Sequence, residues 1–200
     1  ARQAGRPVVI ADTQDNPGAG GNGDTNGMLA ALIANRAEGA VLGLLCDAEA
    51  SAAAHAAGEG ATFQTTLGAR SGMPGHVPLA VTVTVEKLSD GCFTATGPMY
   101  RGNRMQLGPM ALLRLHDGGG GIQVVTSSRK CQAADQVMFR HLGVALERAK
   151  VIVLKSSVHF RADFQPLAEA VLVAVAPGPN IVEPSALPYR NLRENIRLKP

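Results

Sequence analysis

Short runs of consecutive apolar residues alternate along this chain with stretches whose apolar positions recur every three or four residues. Val8-Val9-Ile10-Ala11 (after Pro7), Ala40 to Cys46, Val151-Ile152-Val153-Leu154 and Val171 to Val175 are short apolar runs of the kind buried on both faces of a sheet, the first of them β-branched. Met28, Leu29, Leu32 and Ile33 repeat at helical spacing, with Asp24 or Thr25 as the expected N-cap. Ala48 to Ala57 reads as a second helix, capped by Asp47 and stopped by Gly58, and further helices are expected over Ala133 to His141 and Asp163 to Glu169. From Ala61 the period changes. Thr62 to Leu67, Leu79 to Glu86 and Phe93 to Thr96 alternate apolar and polar residues as half-exposed antiparallel strands do, and Ser89-Asp90-Gly91 is the expected hairpin turn between the last two. Met110 to Leu115, a turn at Gly118 to Gly121, and Ile122 to Thr126 complete this block.

The order predicts an α/β fold: a Rossmann-like, largely parallel sheet flanked by helices, with an inserted antiparallel β-meander lobe. The frame is expected over residues 1–60 and 129–178, the meander over 61–128, and an extended surface tail over 179–200, where Pro179, Pro184, Pro188 and Pro200 interrupt regular structure.

Composition narrows the class. A chain of 200 residues with 46% hydrophobic and 18% charged residues forms a real core without staples. The formal charge of +3 is small, and basic residues cluster only at Arg190, Arg193, Arg197 and Lys199, so nucleic-acid binding is not indicated. No apolar run is long enough for a membrane helix, and no stretch of this sequence reads as a secretory signal. Cys46, Cys92 and Cys131 are odd in number and far apart, which argues against a disulfide framework or a cysteine zinc site and fits a reducing cytoplasm. The chain starts without Met, almost at once in a core strand, and reads as a fragment of something longer.

The candidate chemistry lies in loops that follow strands. The first, Asp12 to Thr25, holds Gly18, Gly20, Gly21 and Gly23 between two expected elements, so its backbone N–H groups could approach a ligand. Its spacing matches neither G-x-G-x-x-G nor a P-loop, and Asp12, Asp15 and Asp24 would repel a bare phosphate, which favours a metal-proximal or amine-facing site over a phosphate cradle; a long structural turn is the plain alternative. The second loop, Lys155-Ser156-Ser157-Val158-His159-Phe160-Arg161, follows a strand expected to be a neighbour or near neighbour of the first; it offers a proton carrier and anion-holding donors, or else a packed histidine. Arg101 and Arg104 flank Gly102-Asn103 and could clamp a carboxylate or mark a solvated turn, and Ser127-Ser128-Arg129-Lys130 is a fourth such segment. No His-Glu-x-x-His, no Gly-x-Ser-x-Gly and no His pair at metal-ligand spacing occurs, so no metal ligands are assigned.

Asp15-Asn16-Pro17-Gly18-Ala19-Gly20-Gly21 with Gly23-Asp24-Thr25, Gly97-Pro98-Met99-Tyr100-Arg101-Gly102, Ser127-Ser128-Arg129, Asp135-Gln136 with Phe139-Arg140, and Lys155 to Arg161 together resemble the C-terminal domain of the microcystinase C (MlrC) family, nearly end to end through Leu187-Pro188-Tyr189-Arg190. The pattern departs mildly at Ala19 and Asn22, where the family usually has a Gly and a small residue or Pro. That family is regarded as zinc-dependent metallopeptidases in which a preceding N-terminal domain supplies most or all of the ligands of one zinc ion. The resemblance implies a C-terminal domain contributing substrate-facing loops to a cleft completed by that N-terminal domain, acting on a peptide or small amide. It places His159 and Asp15 as catalytic candidates, His159 for proton transfer or transition-state stabilisation beside a metal-bound water. Asn16, Gly18, Gly20, Gly21, Asp24, Arg101, Ser157 and Arg161 become substrate-binding candidates. The competing readings are a non-catalytic Rossmann-like module that binds a small anion, and a purely structural docking domain.

Overall fold

The structure is a computed structural model that describes residues 5–119 and 121–198; Lys199 and Pro200 of the tail, and Gly120 of the glycine turn, lie outside them. The apolar runs form β1 (Val8–Asp12), β2 (Ala40–Cys46), β9 (Val151–Leu154) and β10 (Ala170–Ala174). The alternating block forms β3 (Thr62–Leu67), β4 (Leu79–Ser89), β5 (Cys92–Thr94), β6 (Arg104–Gln106), β7 (Met110–Leu115) and β8 (Ile122–Ser127). The helices are α1 (Gly27–Ala34), α2 (Ala48–Ala57), α3 (Val137–Arg140) and α4 (Arg161–Phe164).

Eight strands form one sheet in the order β10-β1-β9-β2-β8-β7-β4-β3, and β5 and β6 form a separate two-stranded sheet. The sheet is parallel from β10 to β8 and antiparallel from β8 to β3. Strand β8 joins the two regimes, parallel to β2 on one side and antiparallel to β7 on the other. The antiparallel strands of the meander thus continue the frame's sheet.

Because successive side chains of a strand point to opposite faces, each buried strand feeds two cores. On one face Val9, Ala11, Ile152 and Leu154 pack with Phe139, Phe160 and Phe164 of the α3 and α4 segments. On the other, Leu42, Leu45, Val151 and Val153 pack with Leu29 and Leu32 of α1 and Ala50 and Ala54 of α2. Gly43 is required inside β2, since a Cβ there would lie 2.7 Å from the Phe139 ring. At the sheet's edge the outward strand β10 leaves Leu172 and Val173 about half exposed, at 52% and 53%.

Three expectations are corrected. Ser89-Asp90-Gly91 does not join a hairpin, because β4 pairs with β7 up to Ser89 opposite Met110, after which the chain leaves for the small β5–β6 sheet. The helix expected from Ala133 shrinks to α3, because the Asp135 carboxylate binds the N–H groups of Gly97 and Val137, and Gln136 N donates to Asp163, so the segment before α3 is spent on tertiary bonds. The helix expected from Asp163 begins earlier, at Arg161, and ends at Phe164. No helix among the described residues is long and apolar enough to cross a membrane.

Candidate active site at the carboxyl edge of the sheet

The register of the parallel strands sets the site. Ala11 lies opposite Leu154, so Asp12 and Lys155 are the next residues on neighbouring strands. Two-residue alternation turns both toward the α1 face, with Val151 and Val153. Lys155 Nζ there donates to Asp12 Oδ2 at 2.9 Å, Asp15 Oδ2 at 2.8 Å and Thr25 Oγ1 at 3.1 Å, and all three ionic side chains are fully buried. The sequence offers Lys155 as an anion-holding donor of the second loop; its ammonium is instead enclosed under the first loop, with two carboxylates as its counter-ions.

The two carboxylates are not equivalent. Burial pushes the Asp15 carboxyl upward, but Lys155 and the backbone N–H groups of Thr25 and Gly23 outweigh it and hold the group below its ordinary value. At Asp12 burial wins over the pull of Lys155, and the carboxyl is raised. The difference follows from the donors: Asp15 also accepts from Gly23 N, Thr25 N and Thr25 Oγ1, each at 2.8 Å, whereas Asp12 Oδ1 has no hydrogen-bond partner among the described residues. When the cluster binds a proton, Asp12 takes it.

Asp15 and Asn16 shape the glycine loop from inside. Asn16 Oδ1 accepts from Gly18 N at 2.9 Å, and its carbonyl accepts from Ala19 N at 3.0 Å and Gly21 N at 2.9 Å; Gly20 N donates to Pro17 O at 3.3 Å. Gly20 sits in the left-handed region at φ 92°, and a Cβ on Gly21 would lie 2.8 Å from the Asn16 backbone. The glycines are therefore needed for the turn, and the N–H groups expected to face a ligand are engaged within the loop. Asp24 does not cap α1, whose N-cap position is held by Asn26 without a side-chain bond. It accepts instead from Ser71 N at 2.6 Å and Ser71 Oγ at 3.0 Å, while Thr25 is drawn to Asp15. Asp47 caps α2 through Ala50 N, as expected, and also binds Gly68 N and Arg70, so the segment after β3 ties the glycine loop, through Asp24, to the start of α2.

The second loop meets the first from the β9 side. Ser157 Oγ donates to Thr13 O at 3.0 Å and accepts from Asn16 Nδ2 at 3.1 Å. His159 is exposed, and its Nδ1 lies 3.0 Å from Nε2 of Gln132, which also donates to Ser156 Oγ at 2.9 Å. The structure therefore gathers Asp15, Asn16, Ser157 and the glycine loop into one bonded unit, with His159 at its rim. Arg161 lies on α4 with its guanidinium 5.5 Å from the Phe160 ring centroid. Arg101 is exposed on the β5–β6 turn and makes no hydrogen bond or ion pair among the described residues; its neighbour Tyr100 touches Cys131, one residue before Gln132. Sequence reasoning missed Gln132, whose one signal is its place two residues after the polar segment Ser127 to Lys130.

The three thiols are free. Burial, with the carboxylates of Asp24 and Asp47 adding to it, pushes the Cys46 thiol up to about 11, and burial also raises Cys131, whereas Cys92 is exposed. Iodoacetamide at pH 8 is accordingly expected to alkylate Cys92 first; peptide mass spectrometry in which Cys46 reacts as fast would contradict this picture.

Among the described residues no three His, Cys, Asp or Glu side chains come together as a metal-ion site. Lys155 Nζ already stands between Asp12 and Asp15, bonded to one oxygen of each, so this donor set does not fit a resident zinc ion.

A mostly parallel sheet whose carboxyl edge carries polar loops over a buried charge cluster defines an α/β domain of the kind that gathers ligand groups at strand ends. More specifically, the chain belongs to the MlrC C-terminus family, whose model matches residues 10–191. It is 27% identical over 166 residues to microcystinase C of Sphingomonas sp, an alignment covering 83% of this chain and 31% of that protein. A crystal structure named "Putative metallopeptidase from Mesorhizobium sp. BNC1" superposes with a TM-score of 0.79 at 23% identity, covering 96% of this chain and 38% of that one; at this identity the likeness is one of fold. The chain thus spans about a third of the length of the relatives it matches.

Proposed function

We propose that this chain is the C-terminal domain of a zinc-dependent metallopeptidase or amidohydrolase of the cytoplasm, lending one wall of loops to a cleft whose metal ligands lie on an N-terminal domain of a longer protein. Family membership supports the reading, as do the lengths of the relatives. The observation that carries it is the rim itself: an exposed imidazole, His159, held at the carboxyl edge by a buried amide, above a loop that the Asp15–Lys155 pair keeps rigid. In this reading His159 meets the substrate, Ser157 and Asn16 set the height of the two loops, and Arg101 and Arg161 lie beyond them as partners for a peptide carboxylate. Asp15 acts by holding the loop, since its carboxylate oxygens are already engaged. The small-anion reading loses force because the N–H groups of Gly18 to Gly21 are already bonded.

The test is zinc content, by elemental analysis after dialysis, of this chain alone and of the longer protein that contains it. Zinc at unit stoichiometry is expected only in the longer protein, where His159→Ala should lower hydrolysis of a linear peptide at least about 100-fold while leaving the metal in place. One zinc held by this chain alone and lost in His159→Ala would put the metal in the wrong domain here and overturn the proposal.

A further inference from the structure

We propose that Gln132 is a positioning residue that holds His159 in the tautomer protonated at Nε2, so that the ring presents a hydrogen-bond donor to a carbonyl or carboxylate oxygen. Gln132 is 2% exposed, and its amide has two protons with two acceptors in reach, Ser156 Oγ at 2.9 Å and His159 Nδ1 at 3.0 Å. A ring nitrogen that accepts carries no proton, so the proton of the neutral ring sits on Nε2. Nε2 makes no hydrogen bond among the described residues, and on this exposed residue it is the nitrogen left for a ligand.

The amide oxygen lies against the glycine loop. Oε1 faces Gly18, where a Cβ would stand 1.8 Å from that oxygen, and it has no hydrogen-bond partner among the described residues. A carbonyl oxygen against a Cα is tolerable as a weak C–H contact. In this orientation both amide protons reach acceptors, Ser156 Oγ and His159 Nδ1, whereas the reverse one would set the NH₂ against Gly18 beside Asn16 Oδ1 and require Ser156 Oγ–H and His159 Nδ1–H both to donate to Oε1. Backbone bonding from Ala133 N to Lys155 O at 3.2 Å anchors Gln132 beside the second loop, so one side chain links both loops to the imidazole. Gly18 thus has a role that its loop alone does not explain: it leaves room for the amide that orients His159. As a donor, His159 would stabilise charge building on a substrate oxygen; as an acceptor-free edge, it would not abstract a proton.

That this donor faces a substrate rests on the hydrolytic reading above, whereas the tautomer does not. Long-range ¹H–¹⁵N correlation spectra of the labelled chain, with His159 assigned from its loss in His159→Ala, are expected to show an unprotonated Nδ1 and a protonated Nε2. Gln132→Glu, whose carboxylate accepts from Nδ1–H, should shift the tautomer ratio toward Nδ1–H by about tenfold or more. Gly18→Ala, on the exposed loop, should dislodge the amide and move the ratio in the absence of any change at Gln132. A protonated Nδ1 in the unaltered chain, or a ratio that ignores both substitutions, would overturn the inference. If the ratio moves as stated yet Gln132→Glu leaves kcat of the longer protein unchanged, the positioning role stands and the hydrolytic role of His159 falls.

Discussion

Lys155→Met is expected to destabilise the chain by about 3–5 kcal/mol, a large share of the stability of a domain this size. Methionine fills much of the same volume, so the loss is electrostatic: Asp12 and Asp15 would remain fully buried with no counter-ion. Both carboxyls would then have raised folded values, so the variant is penalised once the pH lies above their ordinary value and recovers part of its stability on acidification. Urea denaturation at pH 7 and again near pH 5 reads both effects. An unchanged midpoint at pH 7 would mean that the cluster contributes little and that the loop stands without it.

The second large effect is an asymmetry between the two acids. Asp15→Asn should cost about 3 kcal/mol, because an amide NH₂ would face donors that now converge on a carboxylate, Thr25 N and Lys155 Nζ among them. Asp12→Asn should cost less than about 1 kcal/mol, and near neutral pH it could exceed the parent in stability, since one of its oxygens has no partner to lose. The sign of the pH dependence separates them. Asp15 is held below its ordinary 3.8, so its contribution is complete above that pH and lost as the pH falls through the lower folded value. Asp12 is raised above 3.8, so its ionisation opposes folding as the pH climbs from there through the folded value, and Asp12→Asn removes that opposition. Finding Asp12→Asn the more damaging substitution would reverse the assignment of the shared proton.

The strands were legible because burial on both faces writes itself as unbroken apolar runs and burial on one face as alternation: β2 and β9 in the first way and β3 in the second start and stop where the pattern predicts. The adjacency of the two polar loops was legible too, since strand–helix alternation implies a parallel sheet. The short α3 was not, because Ala133 and Ala134 fit a helical repeat equally well when Gln132 and Asp135 spend their side chains on distant segments. Nor did the spacing disclose that Lys155 is buried; a lysine after an apolar run reads as the first solvent-facing residue unless two acids 140 and 143 residues away are known to be beside it. The glycines announced a tight loop, and which groups that loop would satisfy depended on Asn16 and Asp15 turning inward.

Those sequence separations have a kinetic consequence. Lys155 can find Asp12 only after β1 and β9 have paired across most of the chain, and closures of that length come late in folding. The charge cluster is therefore expected to form on the native side of the barrier. Its loss in Lys155→Met should leave the refolding rate close to that of the parent and appear mostly as faster unfolding. In the cell, the buried lysine would govern how long each molecule stays folded, and so its resistance to proteases, more than how readily it reaches the fold.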